Sequence, residues 1–198
     1  MRKGRQEGRQ FMEIFIEDVT TAHQLREVSA VRREVFEKEW RLKTRQLQFD
    51  TQNKVWHLLA RAADFGPAIG ALSVVDTTAD DTLHQNYALH FPENARVARL
   101  TQLAVLVSFR GRGIPYQLIR EAIHQIVQPH RFDFTWLLFD ASRAESCHLV
   151  EEFDYSVSPY VLQTEYGLCR VLSRDERRWS SRDKSMQAVD EPITVLSY

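Results

Sequence analysis

The chain has 198 residues, of which 43% are hydrophobic and 27% are charged, and its formal net charge is −1. This balance is typical of one compact globular domain with tails; it excludes a disordered chain and a global positive field for nucleic acid. Because no apolar run approaches the ~20 residues of a membrane-spanning helix and two cysteines provide no disulfide framework, we expect a soluble cytoplasmic protein without a membrane span.

The N-terminal part predicts an arm, a strand and a helix. Residues 1–10 are polar and basic, which indicates a flexible arm. Residues 11–18 alternate nearly regularly between apolar and polar side chains, as a strand does. Thr21 and Gln24 have the spacing of a capping box, so a helix is predicted from Thr21 to about Trp40.

The middle of the chain predicts a long connection followed by a β-hairpin. Residues 41–54 are mostly polar, and long connections in compact domains are often functional. Two apolar runs, 56–62 and 68–75, flank the turn signal of residues 64–67 and predict the hairpin. Residues 76–95 form a polar excursion with no predicted element.

The second half predicts a strand, a turn and a helix in direct succession. Residues 97–108 are strongly apolar, and two glycines follow within three residues. A helix is then predicted from Ile114 until Pro129 stops it. Residues 134–140 predict a buried strand and 142–153 a short helix.

Two closing strands, 160–164 and 166–173, complete the order β-α-β-β-β-α-β-α-β-β. This order predicts an α/β (α+β) fold with a mixed sheet and helices on both faces. The residues from Asp175 onward are predicted to be a tail or an added edge strand.

The turn after the fourth strand carries the clearest chemical signal. A buried strand ends, Gly111 and Gly113 follow, and a helix opens, so several backbone N–H groups and the helix dipole point to one place where anions such as phosphate bind. Arg110 and Arg112 would add charge-assisted hydrogen bonds. The alternative is a tight turn that needs glycine only for its backbone angles.

The segment from Val105 to Ile119, VLVSFRGRGIPYQLI, resembles the acyl-CoA-binding motif of the GCN5-related N-acetyltransferase (GNAT) superfamily. That motif has the form Arg/Gln-x-x-Gly-x-Gly/Ala, and Arg110, Gly113 and Pro115 occupy its three defined positions. The resemblance implies a mostly antiparallel mixed sheet. We assign the domain to residues 11–174, with a tail or edge strand over 175–198.

The same resemblance implies how the acyl donor binds. The backbone around Leu103, Ala104 and Val105 would pair with a pantetheine arm, and a backbone N–H at Leu103 or Val105 would polarise the thioester carbonyl. No cofactor is expected to be tightly bound; the co-substrate would be acyl-phosphopantetheine on an acyl carrier protein, or acyl-CoA. The histidines and cysteines show no ligand spacing, so no metal site is expected. The predicted donor-binding residues are Leu103, Ala104, Val105, Val107, Arg110, Gly111, Arg112 and Gly113.

Two departures from the superfamily pattern affect the expected chemistry. Pro115 replaces a small residue and removes one N–H donor, which weakens pyrophosphate binding but matters less for a carrier protein that presents phosphopantetheine alone. Val150 stands where the superfamily often has a tyrosine that protonates the leaving thiolate. A thiol has a modest pKa, so the step can proceed without a dedicated acid at some cost in rate.

The first helix and the segment after it resemble one branch of the superfamily. Arg32, Phe36, Trp40 and Phe49-Asp50 match a pattern of the acyl-homoserine-lactone synthases that is also similar to the N-acyl amino acid synthases. The resemblance implies an acyl carrier protein as donor and an amino acid or its derivative as acceptor, with Arg32, Phe36 and Trp40 as substrate-binding residues. It makes Asp50 the first candidate for the general base, with Glu34 and His57 as alternatives.

Three positions differ from the lactone synthases. Ser73 replaces an arginine of their third strand, and Arg99 and Gln102 replace a glutamate and an arginine that open their fourth. We hypothesise that Arg99, with Gln102, helps to bind the carboxylate of a free amino acid; the alternative is that Arg99 only ends a strand in solvent. In a regular strand the two side chains would point to opposite faces, and only a bulge would bring both into one site.

The leading prediction is therefore an N-acyl amino acid synthase. An acetyl-CoA-dependent acetyltransferase of a small amine or protein is the alternative within the same fold. A module that binds acyl thioesters without turnover is the alternative from another class.

Overall fold

The computed structural model describes residues 13–42, 53–140, 152–164 and 167–178. The predicted arm, Asp50, Val150 and most of the predicted helix 142–153 lie outside the described residues. The chain divides into two compact units, Met1–Val75 with Leu100–Ile126, and Asp76–Arg99 with Val127–Tyr198. Within the described residues, no helix combines the length and apolar character that crossing a membrane requires.

The described residues form seven strands, which hydrogen bonding places in the order β1-β2-β3-β4-β5-β7-β6. β4 pairs with β5 in parallel, and the pairs β1–β2, β2–β3, β5–β7 and β6–β7 are antiparallel. The predicted α/β (α+β) fold with a mixed, mostly antiparallel sheet is confirmed. The strands are β1 Phe15–Asp18, β2 Val55–Arg61, β3 Ala68–Asp76, β4 Val97–Val105, β5 Phe134–Asp140, β6 Ser156–Thr164 and β7 Gly167–Asp175.

Two of the three α-helices that the structure describes continue into π-helical turns. The helix α1 spans Ala22–Arg32 and continues as a π-helix over Arg33–Glu39. The helix α2 spans Asp81–Asn86. The helix α3 spans Ile114–Ala122 and continues as a π-helix to Val127. The predicted ends near Trp40 and before Pro129 agree with these bounds, but no feature of the residue pattern indicated the π-helical geometry.

The start of α1 confirms the predicted capping box. The hydroxyl of Thr21 accepts from the backbone N–H of Gln24 at 3.2 Å, and the Thr21 N–H donates to the Gln24 side chain at 3.0 Å. These two bonds satisfy donors that a helix N-terminus otherwise leaves unpaired. The strand β2 adds a second anchor, because Arg61 donates to Glu17 of β1 and to Glu27 of α1, each at 2.7 Å.

In the first unit, helices cover both faces of the sheet. Ala71 of β3 lies in a core cluster with Val28 and Val35, on the α1 side. A Cβ built on the preceding residue, Gly70, would lie 3.2 Å from the Ile114 side chain of α3. Since successive strand residues point to opposite faces, α1 and α3 lie on opposite sides of β3. Glycine at position 70 allows the close approach of α3.

The second unit is built around a buried tryptophan. Trp136 of β5 is fully buried and packs with Val97 of β4 and Val171 of β7. The strand register joins Trp136 to Arg99 on one side and to Ser173 on the other. The sequence therefore placed this strand correctly, and its tryptophan belongs to the core.

Three features after β3 differ from the predictions. The polar excursion contains α2, which is capped by the Asp80 side chain accepting from the Leu83 N–H at 2.9 Å. The strand β6 begins at Ser156, four residues before its predicted start. The strand β4 ends at Val105, because Val107–Phe109 form a 3₁₀ turn. Short polar helices and exposed strands lack the apolar periodicity on which the predictions depended.

A buried polar network closes the second unit. Asp175 is the last residue of β7, and the following Glu176 is buried. Its carboxylate accepts from the Arg174 Nε at 2.8 Å and from the Thr135 hydroxyl at 2.5 Å. The hydroxyl of Tyr155 lies 3.1 Å from that of Thr135, and burial raises the pKa of Tyr155 to about 12.

Replacing Glu176 with glutamine is expected to lower the free energy of unfolding by about 3–5 kcal/mol, because the charge of Arg174 would remain buried without its carboxylate. Denaturant unfolding followed by circular dichroism measures this change. The matched control is Arg177→Met, which breaks an exposed pair with Asp175 and is expected to change stability little. Equal losses in the two variants would contradict the prediction.

Candidate functional site

The backbone of β4 departs from regular strand geometry near its end. Gln102 has a φ of 53°, in the left-handed region that residues other than glycine seldom adopt. Such a conformation is typical of a β-bulge, which re-aims the side chains around it. The strict alternation that would send the Arg99 and Gln102 side chains to opposite faces therefore does not hold through this residue.

The residues expected to contact the donor arm come directly after Gln102 in β4. Ala104 and Val105 are buried, and Leu103 is half-buried. Beyond the strand, the Leu106 N–H donates to the Ile69 carbonyl of β3 at 2.9 Å. The backbone is thus held by β3 one residue past the end of β4, which fixes the path of the chain into the turn.

The turn after β4 begins with two short-range hydrogen bonds and ends with two glycines that face open space. The N–H groups of Phe109 and Arg110 donate to the carbonyls of Leu106 and Val107, at 2.9 and 3.3 Å. Gly111 and Gly113 then adopt φ of 72° and 71°, so a side chain at either position would strain the backbone. A Cβ built on either glycine would meet no atom within 4 Å. The turn therefore presents its backbone to open space.

Gly113 serves as the N-cap of α3, and none of the described side chains caps this helix. Pro115 occupies the first turn, where proline is well tolerated but contributes no N–H donor. The first intrahelical bond runs from the Gln117 N–H to the Gly113 carbonyl at 3.2 Å. An uncapped helix start of this kind favours an anionic ligand.

Arg110 binds to the protein on both sides of its guanidinium. Its Nε donates to the Val105 carbonyl at 3.1 Å, which ties the turn to the end of β4. Its two terminal nitrogens donate to the two carboxylate oxygens of Glu39 at 2.7 and 2.6 Å. The sequence did not predict Glu39 as a partner, because the two residues are 71 positions apart. Arg112 is engaged differently, since its guanidinium lies 5.7 Å from the centre of the Phe109 ring.

The Glu39 carboxylate also joins the turn to Phe36 and Trp40, two of the predicted substrate-binding residues. The Trp40 indole N–H donates to Glu39 at 3.2 Å, and the Trp40 ring stands edge-on to that of Phe36, with 5.3 Å between centres. Phe36 is buried in the α1 core, whereas Trp40 is 37% exposed. Phe36, Trp40, Glu39 and Arg110 therefore form one continuous set of contacts within the first unit.

A second chain of contacts runs through the sheet beneath α1. The buried Arg32 donates to the Ser73 hydroxyl at 2.5 Å, and the Nδ1 of His57 lies 2.5 Å from the same oxygen. His57 and Ser73 face each other across β2 and β3. The position that carries an arginine in the lactone synthases thus carries a serine that binds the arginine of α1.

Burial disfavours the charged forms of both Arg32 and His57. Burial lowers the pKa of Arg32 to about 9. Burial and the neighbouring Arg32 charge lower the pKa of His57 to about 4. His57 is therefore neutral near pH 7, and in the tautomer with the ring proton on Nε2 its Nδ1 accepts a hydrogen bond from the Ser73 hydroxyl.

Arg99 belongs to the second unit and rests on aromatic rings. Its guanidinium lies 4.8 Å from the centre of the Trp136 ring and 5.4 Å from that of Tyr87. Its Nε is buried and has no hydrogen-bond partner among the described residues. A buried donor without an acceptor is costly, and such groups often mark a place for a ligand or water. Tyr87 was not predicted, because it follows α2 in the polar excursion.

The remaining predicted residues lie in varied environments. Val107 is 68% exposed in the 3₁₀ turn. Glu34 is exposed and pairs with Lys38 at 2.6 Å. Asp50, the first candidate for the general base, lies outside the described residues. Among the residues that the structure describes, no three His, Cys, Asp or Glu side chains are grouped as a metal ion would need.

The sequence matches no protein-family model and no curated protein. Solved structures match the fold closely. FeeM, an N-acyl amino acid synthase from uncultured soil microbes, aligns with 85% of this chain and 95% of its own at a TM-score of 0.65 and 9% identity. An acyl-CoA N-acyltransferase from Pseudomonas aeruginosa aligns with 82% of this chain and 99% of its own, at a TM-score of 0.61 and 14% identity.

Arabidopsis thaliana NAA60, solved in complex with acetyl-CoA, aligns with 83% of this chain and 99% of its own at a TM-score of 0.60 and 12% identity. The chain therefore has the GNAT fold, as the sequence resemblance predicted.

The pKa of His57 predicts how stability depends on pH. As the pH falls from about 6.5 to about 4, the unfolded chain binds a proton at His57 that the folded chain does not, so the folded state loses stability. His57→Gln is expected to lose less stability than the wild type between pH 7 and pH 5. Urea unfolding midpoints at both pH values measure this, with His124→Gln, an exposed histidine, as control. Identical pH dependence in wild type and His57→Gln would contradict the prediction.

Proposed function

We propose that the chain is an N-acyltransferase that moves an acyl group from a pantetheine thioester to an amine. Within that class we propose an N-acyl amino acid synthase. The observation that carries the proposal is the segment from Gln102 to Gly113, where a strand with a left-handed residue near its end leads through two left-handed glycines into a helix that no described side chain caps. Such a segment can hold a phosphate at its turn and a pantetheine arm along its strand.

The proposed reaction is a direct transfer. The acceptor amine attacks the thioester carbonyl, a backbone N–H at Leu103 or Val105 stabilises the oxyanion, and the thiolate leaves as the tetrahedral intermediate collapses. The amine must lose a proton to a base. His57 already binds the Ser73 hydroxyl through Nδ1, and Glu34 is paired with Lys38. Asp50 therefore remains the preferred candidate.

An amino acid acceptor agrees with the surroundings of Arg99. Two aromatic rings hold its guanidinium from the side, and its buried Nε has no acceptor among the described residues. A carboxylate would supply that acceptor through a charge-assisted hydrogen bond. The fold of FeeM agrees with the same proposal. The folds of the acyl-CoA N-acyltransferase and of NAA60 keep acetyl transfer to an amine as the second candidate.

A donor and acceptor screen tests the proposal. The purified chain is incubated with long-chain acyl carrier protein, long-chain acyl-CoA or acetyl-CoA and with a mixture of amino acids. Thiol release and mass spectrometry of the products are then measured. The proposal expects N-acyl amino acids from a long-chain donor. Acetylated products alone would favour the acetyltransferase, and donor binding without thiol release would indicate a module that has no turnover.

Arg99→Met is expected to raise the KM for the amino acid acceptor about 10- to 100-fold, since hydrogen bonds to charged groups contribute about 1.5–3 kcal/mol. Phenylalanine and phenethylamine make a matched acceptor pair, because they differ only in the carboxylate. The variant is expected to lose the preference for phenylalanine and to leave phenethylamine unaffected. Arg96→Met, which removes another arginine that lies over a ring, is the control. An unchanged KM for phenylalanine would contradict the prediction.

A further inference from the structure

The guanidinium of Arg110 already binds a carboxylate of the protein. Both terminal nitrogens of Arg110 bind Glu39, and its Nε binds the Val105 carbonyl. A phosphate that approaches this arginine must therefore displace Glu39 or bind beside it. The Trp40 indole also donates to Glu39 and helps to hold its carboxylate in place.

Glu39 changes the charge of the turn. The turn carries two arginines, Arg110 and Arg112, and the carboxylate of Glu39 offsets one of them, so a single positive charge remains. A carrier protein presents its pantetheine on one phosphodiester, which carries one negative charge. CoA carries a pyrophosphate in place of that phosphodiester and a separate phosphate monoester, and these would meet the Glu39 carboxylate with charge of the same sign.

We propose that Glu39 is a donor-specificity residue that disfavours CoA thioesters and leaves carrier-protein thioesters as the preferred donors. This inference rests on the proposed function, because it assigns the donor of the same site. Pro115 acts in the same direction, since it removes one N–H from the helix start that would hold a pyrophosphate.

Glu39→Gln tests the inference because it removes the charge with little change of shape. The variant is expected to bind CoA about five- to tenfold more tightly than the wild type, which is the scale of one exposed like-charge contact. Its kcat/KM with acyl-CoA is expected to rise by a similar factor. Its kcat/KM with the same acyl group on a carrier protein is expected to rise less than its kcat/KM with acyl-CoA, because the phosphodiester carries fewer negative charges than CoA.

Calorimetric titration with CoA provides a readout that does not depend on acyl transfer. The control is Glu121→Gln, which makes the same change of charge on α3 about 12 Å from the turn, eight residues at ~1.5 Å each. The gain in CoA binding is expected to shrink when the ionic strength is raised from 0.1 to 1 M, because the Debye length falls from ~10 to ~3 Å. A purely structural role for Glu39 would give a change that is insensitive to salt.

The outcomes separate the two proposals. Equal CoA affinity in wild type and Glu39→Gln, or an equal gain in Glu121→Gln, overturns the role of Glu39 even if the wild type transfers acyl groups. Absence of CoA binding in both proteins overturns it as well. Tighter, salt-sensitive CoA binding by Glu39→Gln in a protein that transfers no acyl group supports the role of Glu39 and overturns the proposed function.

Discussion

The hydrogen bond from the Arg110 Nε to the Val105 carbonyl is the contact on which the proposed donor site depends. It closes the turn onto the end of β4 at 3.1 Å and leaves the glycines beyond it open to solvent. The same side chain reaches Glu39 at the end of the helix that begins with α1. One arginine thus fixes the position of a strand end, a turn and a helix end, so the geometry of the turn depends on three parts of the sequence.

The fold was predictable because its strongest signals are local. The capping box of Thr21 and Gln24, the apolar strand before Gly111, and the helix face from Ile114 are all read within a few residues. Each of these elements begins where it was expected, although β4 ends at Val105 instead of residue 108. The helix α2 and the early start of β6 were missed because their polar or exposed residues carry no clear period. The burial of Glu176 could not be predicted from the sequence either, since a glutamate is seldom buried unless other residues pair with it.

The candidate site was predictable only in its backbone. Gly111 and Gly113 signal their positive φ in the sequence, but Gln102 adopts a similar φ without any such signal. The partners of the predicted arginines could not be inferred at all. Ser73 binds Arg32 from 41 positions away, and Glu39 binds Arg110 from 71. Pairs of this kind depend on how strands and helices meet in three dimensions, which no spacing in the sequence records.

The π-helical stretch from Arg33 to Glu39 sets the direction in which Glu39 points. The Trp40 N–H donates to the Val35 carbonyl five residues back, whereas an α-helix would bond it four residues back. If the stretch relaxed to a regular α-helix without losing a residue, the side chains beyond it would turn by about 100° around the axis, which is the angle of one residue. Glu39 would then no longer face Arg110. The pairing of these two residues therefore depends on the wide helical turns as well as on their charges.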